Sequence, residues 1–178
     1  MNTTHRGLTR RFAAFAGLGA VGAMMLTACS GDDELVDMGI PMSDGTYTGQ
    51  SNEDDQGSVG TVTITVEGGR IIEASYETVE SDGTVKDENY GKDSSGEIAN
   101  AEYYQRAQAA VASYEQYSAA LVEAQDPTAV DTISGATVAH SQFLQAALRA
   151  VYQAQGVEDD GRADTINMPG LGLEDEDY

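Results

Sequence analysis

Thr61-Val62-Thr63-Ile64-Thr65-Val66-Glu67-Gly68-Gly69-Arg70 alternates apolar and polar residues up to a pair of glycines. Side chains along a strand point to opposite faces with a period of two, so Val62, Ile64 and Val66 share one face and Thr61, Thr63 and Thr65 the other. Gly68 and Gly69 supply the positive backbone angles of a two-residue hairpin, and the return strand is expected from Arg70 to about Val79. Its core face is expected at Ile72, Ala74 and Tyr76. A two-residue turn pairs Val66 with Ile71, however, so a bulge is expected near Ile71.

Working outward, Asp44-Gly45-Thr46-Tyr47-Thr48-Gly49-Gln50 begins as a turn and passes into alternation, which predicts a first strand before the polar loop Asn52 to Gly57. Asp82-Gly83 turns the chain again, Val85 to Gly91 carries Tyr90, and Lys92 to Gly96 is loop. A long helix is predicted from about Ile98 to Gln125, with Tyr104, Ala107, Val111, Tyr114, Ser118, Leu121 and Val122 recurring at spacings of three and four. Pro127 ends it by disfavouring helical backbone at Asp126. A second helix is predicted from about Val138 to Ala154, with Leu144, Ala147, Leu148 and Val151 as its stripe and Gly156 as its stop. The fold class is α+β: a small antiparallel sheet packed by two helices, between acidic disordered flanks.

Charge is distributed unevenly. The chain has 9 Lys plus Arg against 30 Asp plus Glu, net −21, which argues against nucleic acid or anionic membrane surfaces as partners. Acids gather in 29–43, read as a linker, and 156–178, read as a disordered tail, because neither has apolar periodicity. The run Glu174-Asp175-Glu176-Asp177 is either a docking tail or a solvated one. The folded part is then 44–155, long enough for one modest core.

Residues 1–28 carry Arg6, Arg10 and Arg11 ahead of an apolar, glycine-rich run from Phe12 to Leu26. That is an export-signal pattern, and the run is short for a membrane span. It ends in Leu26-Thr27-Ala28-Cys29, which resembles the lipobox of bacterial lipoprotein signals. The resemblance implies lipid attachment at Cys29, the sole cysteine, and a location on the outer face of the cell membrane. An uncleaved anchor is the alternative, and Arg10-Arg11 leaves the export route open. Gly17 to Gly22 spells a G-x-G-x-x-G pattern without a preceding strand, so it is not read as a nucleotide site.

Between the helices lies Asp131-Thr132-Ile133-Ser134-Gly135-Ala136-Thr137. Thr137 is expected at a helix mouth, where unpaired backbone N–H groups and the positive dipole end favour a phosphate. The plain reading is that Thr137 caps the helix with its own hydroxyl. The order Asp-x-x-Ser-Gly-Ala-Thr resembles the attachment motif of the FMN-binding domain family. The likeness extends to Asp44–Ser51, the hairpin at Gly68-Gly69, the run Asp87-Glu88-Asn89-Tyr90-Gly91-Lys92 and the pair Ala107-Gln108. With these added, the folded part resembles single-domain flavin-carrying lipoproteins of Gram-positive bacteria.

That resemblance implies FMN linked covalently through a phosphodiester to Thr137, placed there by a separate flavin transferase that uses FAD and a divalent metal. It also implies an electron carrier between a membrane donor, such as a quinone-linked dehydrogenase, and an external acceptor, with Asp131, Ser134, Gly135 and Ala136 around the attachment. Asp131 is either recognised by the transferase or holds the loop, and Ser134 either meets phosphate or makes a local turn. No Lys or Arg occurs between Ala107 and Leu148, so capture of a free FMN dianion looks poor there and a covalent link removes the need for it. Tyr90 and Tyr104 are the expected ring contacts, with Tyr76 behind them, and the alternative for each is an ordinary core or surface residue. His140 is one turn beyond Thr137 and meets the phosphate or ring, or else faces solvent. The other histidine, His5, is in the signal, so no metal centre and no catalytic group are expected. The acidic surroundings are expected to lower the reduction potential of the flavin.

Three rival readings stand beside this one. A ligand-binding or sensing lipoprotein would use the same cleft for a soluble molecule, with Thr137 as a cap. A hydrolase built on Asp131, Ser134 and His140 lacks the strand-turn-helix setting of a nucleophilic serine. A flavin reductase would need a substrate domain, which a chain this short does not supply.

Overall fold

The computed structural model describes residues 34–170. Residues 1–33, with the signal and Cys29, and residues 171–178, with the Glu174-Asp175-Glu176-Asp177 run, lie outside them. Three antiparallel strands form one sheet in the order β1 (Gly45–Gln50), β2 (Val59–Glu67), β3 (Arg70–Val79), and two helices, α1 (Ala101–Ala124) and α2 (Thr137–Gln155), pack on it. This is the α+β class expected from the sequence.

The alternation in β2 sets the sheet's inner face: Val62, Ile64 and Val66 are buried against the helices. The hairpin pairs Val66 with Ile71 and Thr65 with Glu73, so Ile72 is the extra residue of a bulge. The bulge shifts the parity of the strand, which puts Ile71 in the core and leaves Ile72 about half exposed. The expected core position Ile72 is thereby corrected to Ile71. Gln125 completes the bulge, its side-chain amide accepting from Ile71 N–H at 3.0 Å and donating to Ile71 C=O at 2.8 Å.

Helix α1 covers β3, and α2 lies across β1 and β2. Gly49 permits that second contact. A Cβ there would stand 2.1 Å from the Ala146 carbonyl oxygen and 2.6 Å from the Ala150 nitrogen. On the outer edge of β1, Arg149 Nη1 donates to Gln50 C=O at 2.6 Å and Gln153 Nε2 to Thr48 C=O at 2.8 Å, so these carbonyls are not left open to another strand. Asn100 caps the start of α1 by accepting from Tyr103 N–H, and Gln125 closes its end in the left-handed region.

Helix α2 is buried on more than the expected stripe. Phe143, Ala146, Ala150, Tyr152 and Ala154 join Ala147, Leu148 and Val151 in the core, while Leu144 is only half buried. The reason is that the inner parts of both acidic flanks pack on its second side, so the folded region exceeds 44–155 at each end. Val36 and Met42 are buried, and Ser43 N–H donates to Ala154 C=O at 2.8 Å. From the other flank, Ala163 is fully buried. Gln145 Nε2 holds Ile166 C=O at 3.0 Å, and Arg149 pairs with Asp159 at 2.9 Å and Asp164 at 2.5 Å. No described helix is long and apolar enough to cross a membrane.

Candidate functional site

Ser134 and Gly135 are the central residues of a turn closed by the Ala136 N–H on Ile133 C=O at 3.0 Å. Gly135 has φ +81°, the left-handed angle that the third residue of a type II turn requires. A Cβ at Gly135 would meet nothing within 4 Å, so the space above the turn is open. The chain then enters α2 with Ala136 as the flanking residue and Thr137 as the first helical one, and no side chain caps the helix. Thr137 is therefore not the N-cap of the plain reading. It is exposed and its hydroxyl makes no hydrogen bond among the described residues. The first backbone bond of α2 is His140 N–H to Ala136 C=O at 2.9 Å, which leaves the N–H groups of Thr137, Val138 and Ala139 directed out of the helix mouth.

Buried side chains hold this turn from below. Tyr117, fully buried, accepts from Ile133 N–H at 3.0 Å and donates to Ala136 C=O at 3.2 Å. Burial raises the pKa of Tyr117, partly offset by the Ile133 N–H, so its hydroxyl keeps the proton that the Ala136 carbonyl needs. Tyr76 donates to Ala139 C=O at 2.8 Å and packs edge-on to Tyr114, Tyr117 and Phe143. It is a core residue, as the strand pattern expected, and does not line the cleft at Thr137. The place of His140 is corrected. Its Nε2 lies 2.8 Å from Val130 C=O and its Nδ1 3.1 Å from the Thr132 hydroxyl. A carbonyl only accepts, so Nε2 carries the proton, and His140 braces the loop instead of facing a ligand or solvent.

Asp131 and Ser134 are exposed, and neither side chain makes a hydrogen bond among the described residues. The reading in which Asp131 holds the loop therefore has no bond to rest on. Asp131, Ser134 and His140 also share no hydrogen bond, so the hydrolase arrangement is not formed.

Thr137 opens into a cleft of about 230 Å³ whose other wall is α1 with Tyr90; Gly135, Ala136, Tyr103 and Arg106 also line it. Tyr90 reaches the cleft because the loop before α1 is docked on that helix. Gln108 Nε2 donates to Tyr90 C=O at 2.9 Å and to Asp87 C=O at 3.2 Å. A Cβ on Gly91 would stand 2.8 Å from Ala107 Cβ, so the Asn89-Tyr90-Gly91 turn lies flat against Ala107. Tyr90 and Tyr103 meet edge to face with centroids 6.3 Å apart. Burial, and next the Tyr103 hydroxyl, push the Tyr90 pKa far above its ordinary value. Behind Tyr90, Lys86 Nζ sits 4.6 Å from the ring centroid and 3.6 Å from the Asp54 carboxylate, both side chains being buried.

Tyr104 does not line the cleft. Its hydroxyl bonds Glu88 C=O at 3.2 Å on the outer side of the loop, and the expected contact there is replaced by Tyr103, one residue earlier on the helix. Arg106 was also missed, because the basic-free interval begins one residue after it. No group of metal-ligating side chains occurs among the described residues.

No family model matches the sequence, and a search of curated proteins gives no match. Among solved structures, a crystal structure of a Clostridium perfringens protein is 25% identical with TM-score 0.52, covering 65% of this chain and 90% of that one. A solution structure of a Clostridium thermocellum protein is 30% identical with TM-score 0.40, covering 66% and 95%. The chain shares its fold with the Clostridium perfringens protein.

Proposed function

We propose that this chain is an electron carrier anchored by lipid on the outer face of the cell membrane, with FMN joined through its phosphate to Thr137 Oγ1. The observation that carries the reading is the Thr137 hydroxyl. It stands exposed at the first residue of a helix, without the capping bond that would explain it, and opens into a cleft walled by two tyrosines.

The residues around it fit the group. Three N–H groups and the dipole end of α2 suit the phosphodiester oxygens, and the open space above Gly135 admits it. Tyr90 and Tyr103 offer aromatic surface to the ring. The cleft is smaller than the roughly 300–1,000 Å³ of sites that engulf a ligand, so it takes part of FMN and leaves the rest accessible, as exchange of electrons with partners requires. Bound there, FMN would supply reversible redox chemistry.

The chain's own tasks are attachment and orientation. Thr137 Oγ1 forms the new bond to the FMN phosphorus of FAD, the bond to the AMP oxygen breaks, and AMP leaves as the hydroxyl proton is released. A flavin transferase with a divalent metal supplies that step, and Asp131 and Ser134, exposed and unengaged, are available for it to recognise. Tyr117 and His140 fix the turn, so the attached group has one exit direction. The run Leu26-Thr27-Ala28-Cys29, similar to a lipobox, supports a lipid anchor on the membrane, with a quinone-linked dehydrogenase as the donor class and an external acceptor for the electrons.

The test is the intact mass of the protein co-expressed with an active flavin transferase. The parent gains FMN less one water and Thr137→Ala does not. An unlabelled parent, with a control substrate labelled, leaves a ligand-binding lipoprotein as the function.

A further inference from the structure

We infer that the Arg106 guanidinium is the counter-charge for the reduced, anionic flavin ring, and so raises the reduction potential of this carrier. The inference rests on the covalent-flavin reading and deepens it by assigning a residue that reading does not need.

Net charge alone points the other way, because a chain at −21 disfavours an added anion. Screening limits exposed charges to about 8–10 Å at ordinary ionic strength, however, so the nearest charge dominates. Among the described residues, Arg106 is the one charged side chain lining the cleft. It makes no ion pair or hydrogen bond among those residues. The other cations near the site are compensated or face elsewhere. Lys86 is matched by Asp54 at 3.6 Å, and Lys92 is held by Asn89 at 3.0 Å. Arg149 is engaged by Asp159 and Asp164.

Arg106 is also on the correct face. Tyr103, Arg106, Ala107 and Ala110 recur at helical spacings along α1 and all line the cleft. A ring covered by Tyr103 therefore lies beside Arg106.

The sign follows from the charges. The oxidised ring is neutral; uptake of two electrons from the donor and one proton from water leaves one negative charge on it. A guanidinium beside the ring favours that product. The phosphodiester carries the same charge in both states, so an Arg bound only there would leave the potential unchanged.

The test uses full-length protein co-expressed with flavin transferase, each sample checked by mass for its flavin, then titrated with dithionite against a reference dye. Arg106→Gln should weaken two-electron reduction about tenfold, or about 30 mV. Arg106→Lys should keep most of the parent value, and Arg70→Gln, which removes an equal charge at the exposed hairpin, should keep all of it. An Arg106→Gln potential equal to the parent's overturns the inference while the attached flavin still stands. An equal shift in Arg70→Gln overturns it too, by reducing Arg106 to a share of net charge. A parent without flavin overturns both readings.

Discussion

The hydroxyl of Tyr117 and the N–H of Ile133 are 3.0 Å apart, and the same hydroxyl donates to Ala136 C=O at 3.2 Å. One buried oxygen thus spans the Ser134-Gly135 turn and fixes the direction in which Thr137 leaves it. In Tyr117→Phe both backbone groups lose their partner while the ring packing on Phe143, centroids 5.1 Å apart, is kept. The variant should lose about 1–3 kcal/mol of stability in urea unfolding. It should also be labelled more slowly by the transferase. Unchanged labelling at reduced stability would make Tyr117 a core residue only.

The Lys86–Asp54 pair gives a second prediction. Asp54 Oδ1 accepts from Ser58 N–H at 2.8 Å and Gln56 N–H at 3.0 Å, whereas Oδ2 has no hydrogen-bond partner among the described residues and faces Lys86. Lys86→Met leaves a buried carboxylate uncompensated and should cost about 3–5 kcal/mol. The double variant Lys86→Met with Asp54→Asn removes both charges and should recover most of that loss. Additive losses in denaturant titrations would show that the two residues do not act as a pair.

Alkaline pH should destabilise the fold through the tyrosine core. Burial pushes the Tyr114 pKa from 10.0 up to about 12, and the same cause raises that of Tyr76 well above its ordinary value. The folded state then holds protons that the unfolded state gives up above pH 10. This contribution is complete below pH 10 and is lost as pH rises toward 12. Urea midpoints measured across that range should fall, and less steeply in Tyr114→Phe. A flat profile would contradict the burial of these hydroxyls.

Much of the architecture was legible because it is periodic. The alternation through Val62, Ile64 and Val66 gave the sheet's inner face, and Pro127 and Gly156 marked the helix ends. The bulge was legible as a pairing conflict at Ile71, but alternation by itself chose Ile72, since one extra residue inverts the parity of a strand. The inner parts of the flanks, 34–43 and 156–170, were misjudged for a different reason. Val36, Met42 and Ala163 are isolated apolar residues among acids, and only the second buried side of α2 gives them a partner.

At the site, the motif placed Thr137 and the Ser134-Gly135 turn, while its supports were invisible. Tyr117 acts through a hydroxyl that pattern reasoning treats as surface, and His140 turns back to Val130 instead of outward. Tyr103 and Tyr104 are adjacent, so which one reaches the cleft depends on helix rotation set by Ala107 and Gln108 against the Tyr90 loop.

The most direct measurement is intact mass after co-expression with an active flavin transferase, on the parent and Thr137→Ala side by side. The parent is expected to carry FMN less one water in a bond that survives denaturation, and the variant none. A parent without that mass, while a control substrate is labelled, would contradict the central claim; so would a Thr137→Ala variant that still carries the flavin.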